Sequence, residues 1–265
     1  LKKPNGVRKR IILLAFEKSQ DSCIRRFEMG GLLIRRLRLF MCVAVVVFTT
    51  GCATTGALDK RDPLEGFNRG VYSFNQGMDK VIFDPLSELY QAITPDFVDK
   101  GITNFFSNLG DIAVVANDIL QFKFAQAYSD TARFLFNSTL GLLGFFDVSS
   151  TMGLDKHNED FGQTLAHWGV GSGPYLIVPF FGSFTFRHAT GAVADSVLNP
   201  VFYLESDELR AGLLTLNYVD VKSDLLIAKD LAAEAALDEY SFIKNAYFTK
   251  RESLINDGAL PALEE

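Results

Sequence analysis

The sequence predicts an all-α domain of short amphipathic helices with irregular joints. Apolar residues recur at spacings of three and four along most of the chain, which is the period of an α-helix. Alternation with a period of two is confined to 175–178 and 184–186, so strands are scarce. The 26 uncharged residues of 161–186 include five glycines and two prolines, which excludes one straight helix and predicts a bent segment.

The chain opens with a segment typical of protein export. Residues 1–28 precede Met29, and we interpret them as sequence upstream of the translation start, outside the fold. Residues 29–51 combine a basic start, an apolar middle too short to cross a membrane and small residues at the end, as in a signal peptide. Cys52 follows directly, which predicts a lipoprotein processing site with lipid on this cysteine. Thr49 departs from that pattern, and the alternative is a plain signal peptide with an incidental cysteine.

Removal of the leader makes the remaining chain strongly acidic. Of the 26 basic and 32 acidic residues, 11 and 3 lie in the first 51, which leaves 15 and 29 and a net charge of −14. A surface this acidic repels nucleic acid and anionic lipid headgroups, so we predict no nucleic-acid partner. Cys23 and Cys42 lie in the leader, so residues 52–265 offer no cysteine pair for a disulfide or a zinc site.

The mature chain divides into a tether, a domain and a tail. Residues 52–62 are small and polar and predict a lipidated tether, followed by a helical domain over 63–256 and a flexible tail over 257–265. Asp62 is predicted to cap the first helix, with Pro63 at its first position. The apolar stripe of this helix comprises Leu64, Phe67, Val71, Phe74 and Met78.

Further helices follow from capping residues, prolines and apolar spacing. They are predicted over 84–92, 95–109, 112–122, 124–137, 186–198 and 221–247, with another after Ser206. Gly110-Asp111 is interpreted as a helix break and Asn199-Pro200 as a stop. A polar loop is predicted over 151–160.

The chain lacks the motifs that catalytic or metal-binding proteins require. The run from Gly169 to Gly173 lacks the third glycine of a dinucleotide fingerprint, and it lacks the first glycine of a serine-hydrolase elbow. His157, His167 and His188 each stand alone, without a second ligand at metal spacing. We therefore predict no catalytic residue, no metal and no cofactor, and that the chain is not an enzyme.

Two uncharged segments, 140–146 and 161–186, admit two interpretations. They either fill the core, as most apolar residues do, or face lipid. The amphipathic helices already supply apolar stripes for a core. Backbone rich in glycine and proline is tolerated at membrane depth where neighbouring protein satisfies its polar groups. These residues favour a bent, lipid-facing wall over a pure core.

Four blocks of the chain closely resemble the MlaA family, also called VacJ, of outer-membrane lipoproteins that maintain lipid asymmetry. They span residues 62 to 200 in the family's order. The blocks are Asp62-Pro-Leu-Glu-Gly-Phe-Asn-Arg69, Gly144-Phe-Phe-Asp-Val148, Phe161-Gly-x-Thr-Leu165 with Gly169-Val-Gly-x-Gly-Pro-Tyr175, and Pro179-Phe-x-Gly-Ser-Phe-Thr-x-Arg187.

The resemblance implies a ring-shaped helical domain embedded in the periplasmic leaflet of the outer membrane. An amphipathic channel through its centre would remove mislocalised phospholipid from the outer leaflet and pass it to a soluble periplasmic carrier. An inner-membrane ABC transporter would receive the lipid next, and trimeric porins would be the partners in the outer membrane. Two rival classes stay open: a structural lipoprotein that braces a partner, and a lipid hydrolase.

The site residues fall into a channel group and a membrane group. Gly169, Gly171 and Gly173 are predicted to form a bent hairpin beside the channel, with a tight loop as the alternative. Tyr72, Phe74 and Asn75 are predicted to set closure of the ring, although Phe74 also suits a plain core position. The predicted membrane contacts are Leu142, Leu143, Phe145, Phe146, Tyr175, Phe180 and Phe181.

Overall fold

The computed structural model describes residues 59–258. The helices are α1 (Glu65–Met78), α2 (Asp84–Ile93), α3 (Asp96–Leu120), α4 (Phe124–Thr139), α5 (Val148–Thr151), α6 (Phe161–His167), α7 (Phe186–Ser196), α8 (Asp207–Ala235) and α9 (Glu239–Ile255). A π-helical turn (Asp79–Phe83) joins α1 to α2, and a 3-10 helix (Pro200–Tyr203) follows α7. Strands β1 (Tyr175–Val178) and β2 (Gly182–Thr185) form an antiparallel hairpin, which is the sheet of this part of the chain. The prediction of an all-α domain is confirmed.

The predicted start of α1 is wrong. Asp62 does not cap the helix, because its carboxylate is buried and accepts hydrogen bonds from Asn68 Nδ2 (2.8 Å) and Lys244 Nζ (3.1 Å). The Tyr240 hydroxyl donates to the same carboxylate at 2.5 Å. The helix begins at Glu65 without a side-chain cap. A buried cation and two further donors hold the carboxylate more firmly than one capping hydrogen bond.

The predicted break at Gly110-Asp111 is also wrong, since α3 runs unbroken over Asp96–Leu120. A glycine inside a helix costs about 1 kcal/mol, which is less than the packing of a long helix along its neighbour contributes. The side chain of Asp111 is buried and forms an ion pair with Lys156. Tertiary contacts with α4 therefore override the local signal.

The predicted helix over 221–247 is two helices. The first, α8, begins at Asp207 and includes the helix predicted after Ser206; the Ser206 hydroxyl caps it by accepting a hydrogen bond from the Leu209 amide at 3.1 Å. It ends at Ala235, and Asp238 then starts α9, with its carboxylate accepting from the Ser241 amide. The run of alanines favours helix, but an N-cap aspartate with serine three residues later restarts the chain in a new direction.

The first strand of the hairpin coincides with the predicted run 175–178, whereas β2 starts two residues before the predicted run 184–186 and ends before Phe186, which begins α7. Tyr175 pairs with Thr185 and Val178 with Gly182, and the turn 179–181 closes the ladder. Tyr175 and Ile177 are buried against Tyr240 of α9, with Val71, Tyr72, Tyr247 and Phe248 packed around them. No helix within residues 59–258 unites the length and the apolar character that a membrane crossing demands.

Candidate functional site: a clamped hairpin and a polar interior

The described domain places apolar side chains outside and polar side chains inside. Among the buried residues of 59–258, polar and charged side chains outnumber apolar ones by 20 to 9. A water-soluble domain shows the opposite distribution, and large exposed apolar surfaces mark contact with a membrane or a protein. Exposed aromatic and aliphatic side chains of α3, α4 and the segment after α6 include Leu120, Phe122, Phe124, Tyr128, Leu135 and Trp168.

The buried polar side chains form connected hydrogen bonds between helices. Asn117 of α3 donates to Asp195 of α7 at 2.8 Å and accepts from the Thr164 hydroxyl of α6 at 2.8 Å. Gln121 donates to Glu159 at 2.8 Å and to Thr164 at 3.2 Å. These bonds offset the cost of removing polar groups from water, so the interior is polar and still packed.

Two carboxyl groups at the centre of this interior share one environment. The side chain of Asp118 is fully buried, and within the described residues neither of its oxygens meets a hydrogen-bond donor. Burial and the neighbouring Asp130 carboxylate raise the pKa of Asp118 to about 7. Asp130 Oδ2 lies 2.9 Å from His157 Nδ1, while its other oxygen has no donor.

Asn68 binds the outer edge of β1. Its Nδ2 donates to the carbonyl of Tyr175 at 3.0 Å, and its Oδ1 accepts from the amide of Ile177 at 2.9 Å. The amide of Tyr175 donates to the carbonyl of Arg61 at 2.9 Å. One side chain of α1 thus takes the place of a neighbouring strand along β1.

Asn75, seven residues later on the same face of α1, binds the hairpin turn. Its Nδ2 donates to the carbonyl of Val178 at 3.1 Å, and its Oδ1 accepts from the amide of Phe180 at 2.9 Å. The hydroxyl of Tyr218 in α8 donates to the carbonyl of Phe180 at 2.9 Å. Phe180 has a positive φ of 70°, which is costly for a residue with a side chain, so two helices hold the turn in this conformation.

An apolar groove runs between α1 and the hairpin turn. Its volume is ≈ 340 Å³. The lining residues are Gly66, Phe67, Gly70, Val71, Phe74 and Pro179. Phe74 is about half exposed, and its ring meets the edge of Phe180 at 5.6 Å between centroids. The sequence predicts Phe74 as a channel or core residue; the structure places it on the groove.

Tyr72 lies on the opposite side of α1 and joins it to α9. Its hydroxyl donates to Glu239 Oε2 at 3.1 Å, and Gln76 Nε2 donates to the same hydroxyl at 2.7 Å. The ring meets Tyr240 edge-on at 5.9 Å. Burial and Glu239 raise the pKa of Tyr72 to about 12. Tyr72 thus positions α9 against the helix that holds the hairpin.

The three glycines precede the hairpin and do not form its turn. They lie in the exposed segment between α6 and β1. Gly169 and Gly173 adopt positive φ of 83° and 67°, and a Cβ at Gly173 would lie 2.9 Å from the Cβ of Phe186. Gly171 has open space around its Cα. The backbone requires glycine at 169 and 173, and position 171 is unconstrained.

The loop between α4 and α5 presents two leucines to solvent. Leu142 and Leu143 are 66% and 67% exposed, and both adopt positive φ, of 54° and 60°. The amide of Leu143 donates to Ser138 and that of Phe146 to Gly141, which fixes the loop. Phe146 is half exposed, as expected of a membrane contact. Phe145 instead turns inward onto Gly101, where a Cβ would lie 2.2 Å from its ring.

The hairpin contains one predicted membrane contact that the structure contradicts. Tyr175 is 0% exposed, because odd-numbered residues of β1 face the core and its hydroxyl bonds Ser183 at 2.8 Å. Phe180 and Phe181 in the turn are 40% and 71% exposed, so both remain available to lipid. The predictions for Cys52, the leader and most of the tether lie outside the described residues.

Sequence reasoning missed Asn68 and the polar interior. Asn68 lies beside Phe67 in the apolar stripe of α1. A side-chain amide among apolar residues was the one sign in the sequence that this position makes a buried hydrogen bond. The buried carboxylates of α3 are spaced seven residues apart, at Asp111 and Asp118, which places them on one face. That face is polar where a soluble helix would be apolar.

Comparisons with known proteins agree with this arrangement. The MlaA lipoprotein family profile matches residues 60–254. The intermembrane phospholipid transport system lipoprotein MlaA of Escherichia coli is 34% identical over 86% of this chain and 93% of its own length. An uncharacterized protein of Rickettsia prowazekii is 34% identical over 80% of this chain and 84% of its own length.

A solved structure from work on the structural basis for maintenance of bacterial outer membrane lipid asymmetry has the same fold. It is 33% identical, superposes with a TM-score of 0.66 and covers 74% of this chain and 99% of its own. Family membership agrees with the prediction that the chain is not an enzyme, since the family is one of lipoproteins. The sequence match, the shared fold and the ordered blocks lead to one conclusion: this chain belongs to the MlaA lipoprotein family.

Proposed function

We propose that this chain transports phospholipid between the outer membrane and the periplasm. The observation that carries the proposal is the inverted distribution of side chains, with a connected polar interior and an apolar exterior. An apolar exterior is stable against lipid tails, while a polar interior offers a path for a headgroup. Those relatives that are named phospholipid transport lipoproteins support the same assignment.

The detailed mechanism follows the family resemblance. The domain over 63–256 forms a ring in the periplasmic leaflet, anchored by lipid on Cys52 after removal of residues 29–51. Mislocalised phospholipid leaves the outer leaflet through the amphipathic channel and passes to a periplasmic carrier, which delivers it to an inner-membrane ABC transporter. Trimeric porins are its partners in the outer membrane. Burial of each CH₂ is worth about 0.8 kcal/mol, so a two-tailed lipid needs such a path to leave the bilayer.

The hairpin segment is the proposed moving part of the channel. The exposed backbone that leads into the hairpin contains Gly169, Gly171 and Gly173, which have no side chain to anchor it. Asn68 holds β1 to α1, and Asn75 holds the hairpin turn to α1. The flexible approach and the clamped strand let the segment bend at one end only. Leu142, Leu143, Phe146 and Phe181 keep the ring in the leaflet.

Mass spectrometry of lipid that copurifies with the detergent-extracted full chain tests the proposal. Intact glycerophospholipid supports transport. Lysolipid or free fatty acid identifies a hydrolase, and the absence of lipid identifies a structural lipoprotein. A bacterial strain that lacks its own family member should regain a low level of phospholipid in the outer leaflet when it expresses this chain. A persistently high level despite full expression of the chain counts against transport.

A further inference from the structure

A row of four aromatic rings extends from the apolar groove to Lys222. Phe74 at the groove lies 5.6 Å from Phe180, which lies 6.3 Å from Phe83, between ring centroids. Phe83 lies 5.0 Å from Tyr218. The ammonium of Lys222 is 5.8 Å from the Phe83 ring and 5.6 Å from the Tyr218 ring. Direct contacts between aromatic side chains therefore connect the groove to the charged group.

Four charged side chains lie at the end of this row and form a charge quartet of Asp79, Asp84, Lys222 and Lys229. Lys222 Nζ lies 2.7 Å from Asp79 Oδ1, and Lys229 Nζ lies 2.7 Å from Asp84 Oδ2. Lys229 also lies 3.6 Å from the second oxygen of Asp79. All four side chains are partly exposed, so a ligand can reach them.

The backbone brings the quartet together by a π-helical turn. Asp84 donates its backbone amide to the carbonyl of Asp79 across the turn, which stacks these two residues on one face. Lys222 and Lys229 are seven residues apart on α8 and share the face opposite them. π-Helical turns inside α-helices are rare and recur at functional sites.

We propose that the groove and the charge quartet form one binding site for a zwitterionic glycerophospholipid. One acyl chain lies in the groove, and the headgroup reaches the quartet along the aromatic row. This inference rests on the proposed transport function and names where that lipid binds and which headgroup it prefers. Phosphatidylethanolamine is the zwitterionic lipid that the test employs.

Charge complementarity selects the headgroup. The quartet has two positive and two negative groups, so its net charge is zero. A phosphate accepts hydrogen bonds from the two lysines, and an ethanolamine ammonium donates to the two aspartates. A phosphatidylglycerol headgroup offers the phosphate alone and leaves both aspartates facing a net negative ligand. The site therefore discriminates by headgroup charge.

Gly70 provides a substitution that fills the groove without disturbing packing. A Cβ at Gly70 has no atom within 4 Å, so a leucine there projects into the groove. Gly77 lies on the same helix with the same free space, but outside the groove. Gly77→Leu is the matched control for Gly70→Leu, because both replace a helical glycine by the same residue.

The first experiment measures how much lipid the site holds. Full-length protein in detergent is incubated with vesicles of equal parts palmitoyl-oleoyl phosphatidylethanolamine and phosphatidylglycerol, repurified and analysed by mass spectrometry. We expect Gly70→Leu to retain at least about threefold less lipid than Gly77→Leu, since acyl burial favours binding with every CH₂. Equal retention of phospholipid by both variants would overturn the groove as the acyl-chain site.

The second experiment measures headgroup preference in the same assay. We expect the wild-type protein to retain more phosphatidylethanolamine, and Asp79→Asn with Asp84→Asn to shift the ratio toward phosphatidylglycerol by about threefold or more. Asp207→Asn with Glu208→Gln removes the same charge at the exposed start of α8 and should leave the ratio unchanged. Lys222→Gln should lower phosphatidylethanolamine retention, and it tests the quartet if the double variant fails to fold.

The outcomes separate this site from transport itself. If the Asp79 and Asp84 double variant and its surface control show the same ratio, the quartet does not read the headgroup. If every variant retains lipid alike and the chain still lowers surface phospholipid in cells, transport stands and the site is wrong. Absence of phospholipid from the wild-type protein contradicts both.

Discussion

Lys244 and Asp62, which are 182 residues apart in the chain, form a buried ion pair with Nζ 3.1 Å from Oδ2. The pair ties the residue just before α1 to the middle of α9. Asn68 and Tyr240 complete the shell of donors around the same carboxylate. This contact fixes the start of the domain against the last helix and holds α1 where its asparagines meet the hairpin.

Removal of one partner of this pair is expected to destabilise the domain strongly. Lys244→Met leaves a buried carboxylate uncompensated, which costs on the order of 3–5 kcal/mol, measured as the free energy of unfolding in detergent. Arg69→Met is the control, because the Arg69–Asp238 pair is largely exposed and contributes about 1 kcal/mol or less. Equal losses in the two variants would show that the Asp62 pair is not the anchor of α1.

Because the pKa of the Asp118 carboxyl is raised in the folded protein, we expect the free energy of unfolding to fall as the pH rises. Its pKa is raised from 3.8 to about 7, so the folded protein holds a proton that the unfolded chain releases between about pH 4 and pH 7. The stabilising contribution is complete below pH 4 and is lost as the pH rises through 7. Thermal unfolding of Asp118→Asn should show less decline over this range than wild type. Asp155→Asn, at an exposed position, should decline as wild type does.

Valine substitutions at Gly173 and Gly171 should distinguish a glycine that the backbone conformation requires from one that only provides mobility. Gly173→Val is expected to destabilise the domain by about 1–3 kcal/mol, because its φ of 67° disfavours a β-branched residue and Phe186 leaves no space. Gly171→Val has open space and should stay within about 0.5 kcal/mol of wild type. If Gly171→Val also keeps surface phospholipid low in cells, the proposed hinge is not at position 171.

Replacement of an exposed leucine in the α4–α5 loop by glycine is expected to stabilise the fold and to weaken membrane contact. Leu143→Gly relieves a positive φ of 60° and should stabilise the detergent-solubilised domain by about 1 kcal/mol. The same variant should bind vesicles more weakly in flotation, because it removes exposed apolar surface. Leu140→Gly is the control, since Leu140 is exposed with an ordinary helical backbone. A loss of stability in Leu143→Gly would contradict the strain at this loop.

The sequence predicted where helices form better than which side of them is buried. The helix predicted over 124–137 is present as α4, and its apolar residues Phe124, Tyr128 and Leu135 share one face, yet all three side chains are exposed. Periodicity reports that a helix has two faces, and the solvent decides which face lies outside. In this domain the exposed side chains are largely apolar and the buried ones largely polar, which is the reverse of the distribution in water-soluble domains.

Local signals failed wherever a distant residue determined the structure. Asp62 reads as a helix cap, but Lys244 and Tyr240 lie far along the chain and claim its carboxylate. Gly110-Asp111 reads as a break, but the ion pair of Asp111 with Lys156 and the packing on α4 keep α3 straight. By contrast, β1 was located correctly because its alternation is local.

The side-chain amide of Asn68 has a consequence for aggregation. A strand with an open edge recruits other strands and so promotes aggregation, and proteins usually protect such edges with charges or prolines. Here Asn68 and the Arg61 carbonyl occupy the hydrogen-bonding groups along the outer edge of β1. The outer edge of β1 is thus closed within the domain and cannot pair with a strand of another molecule.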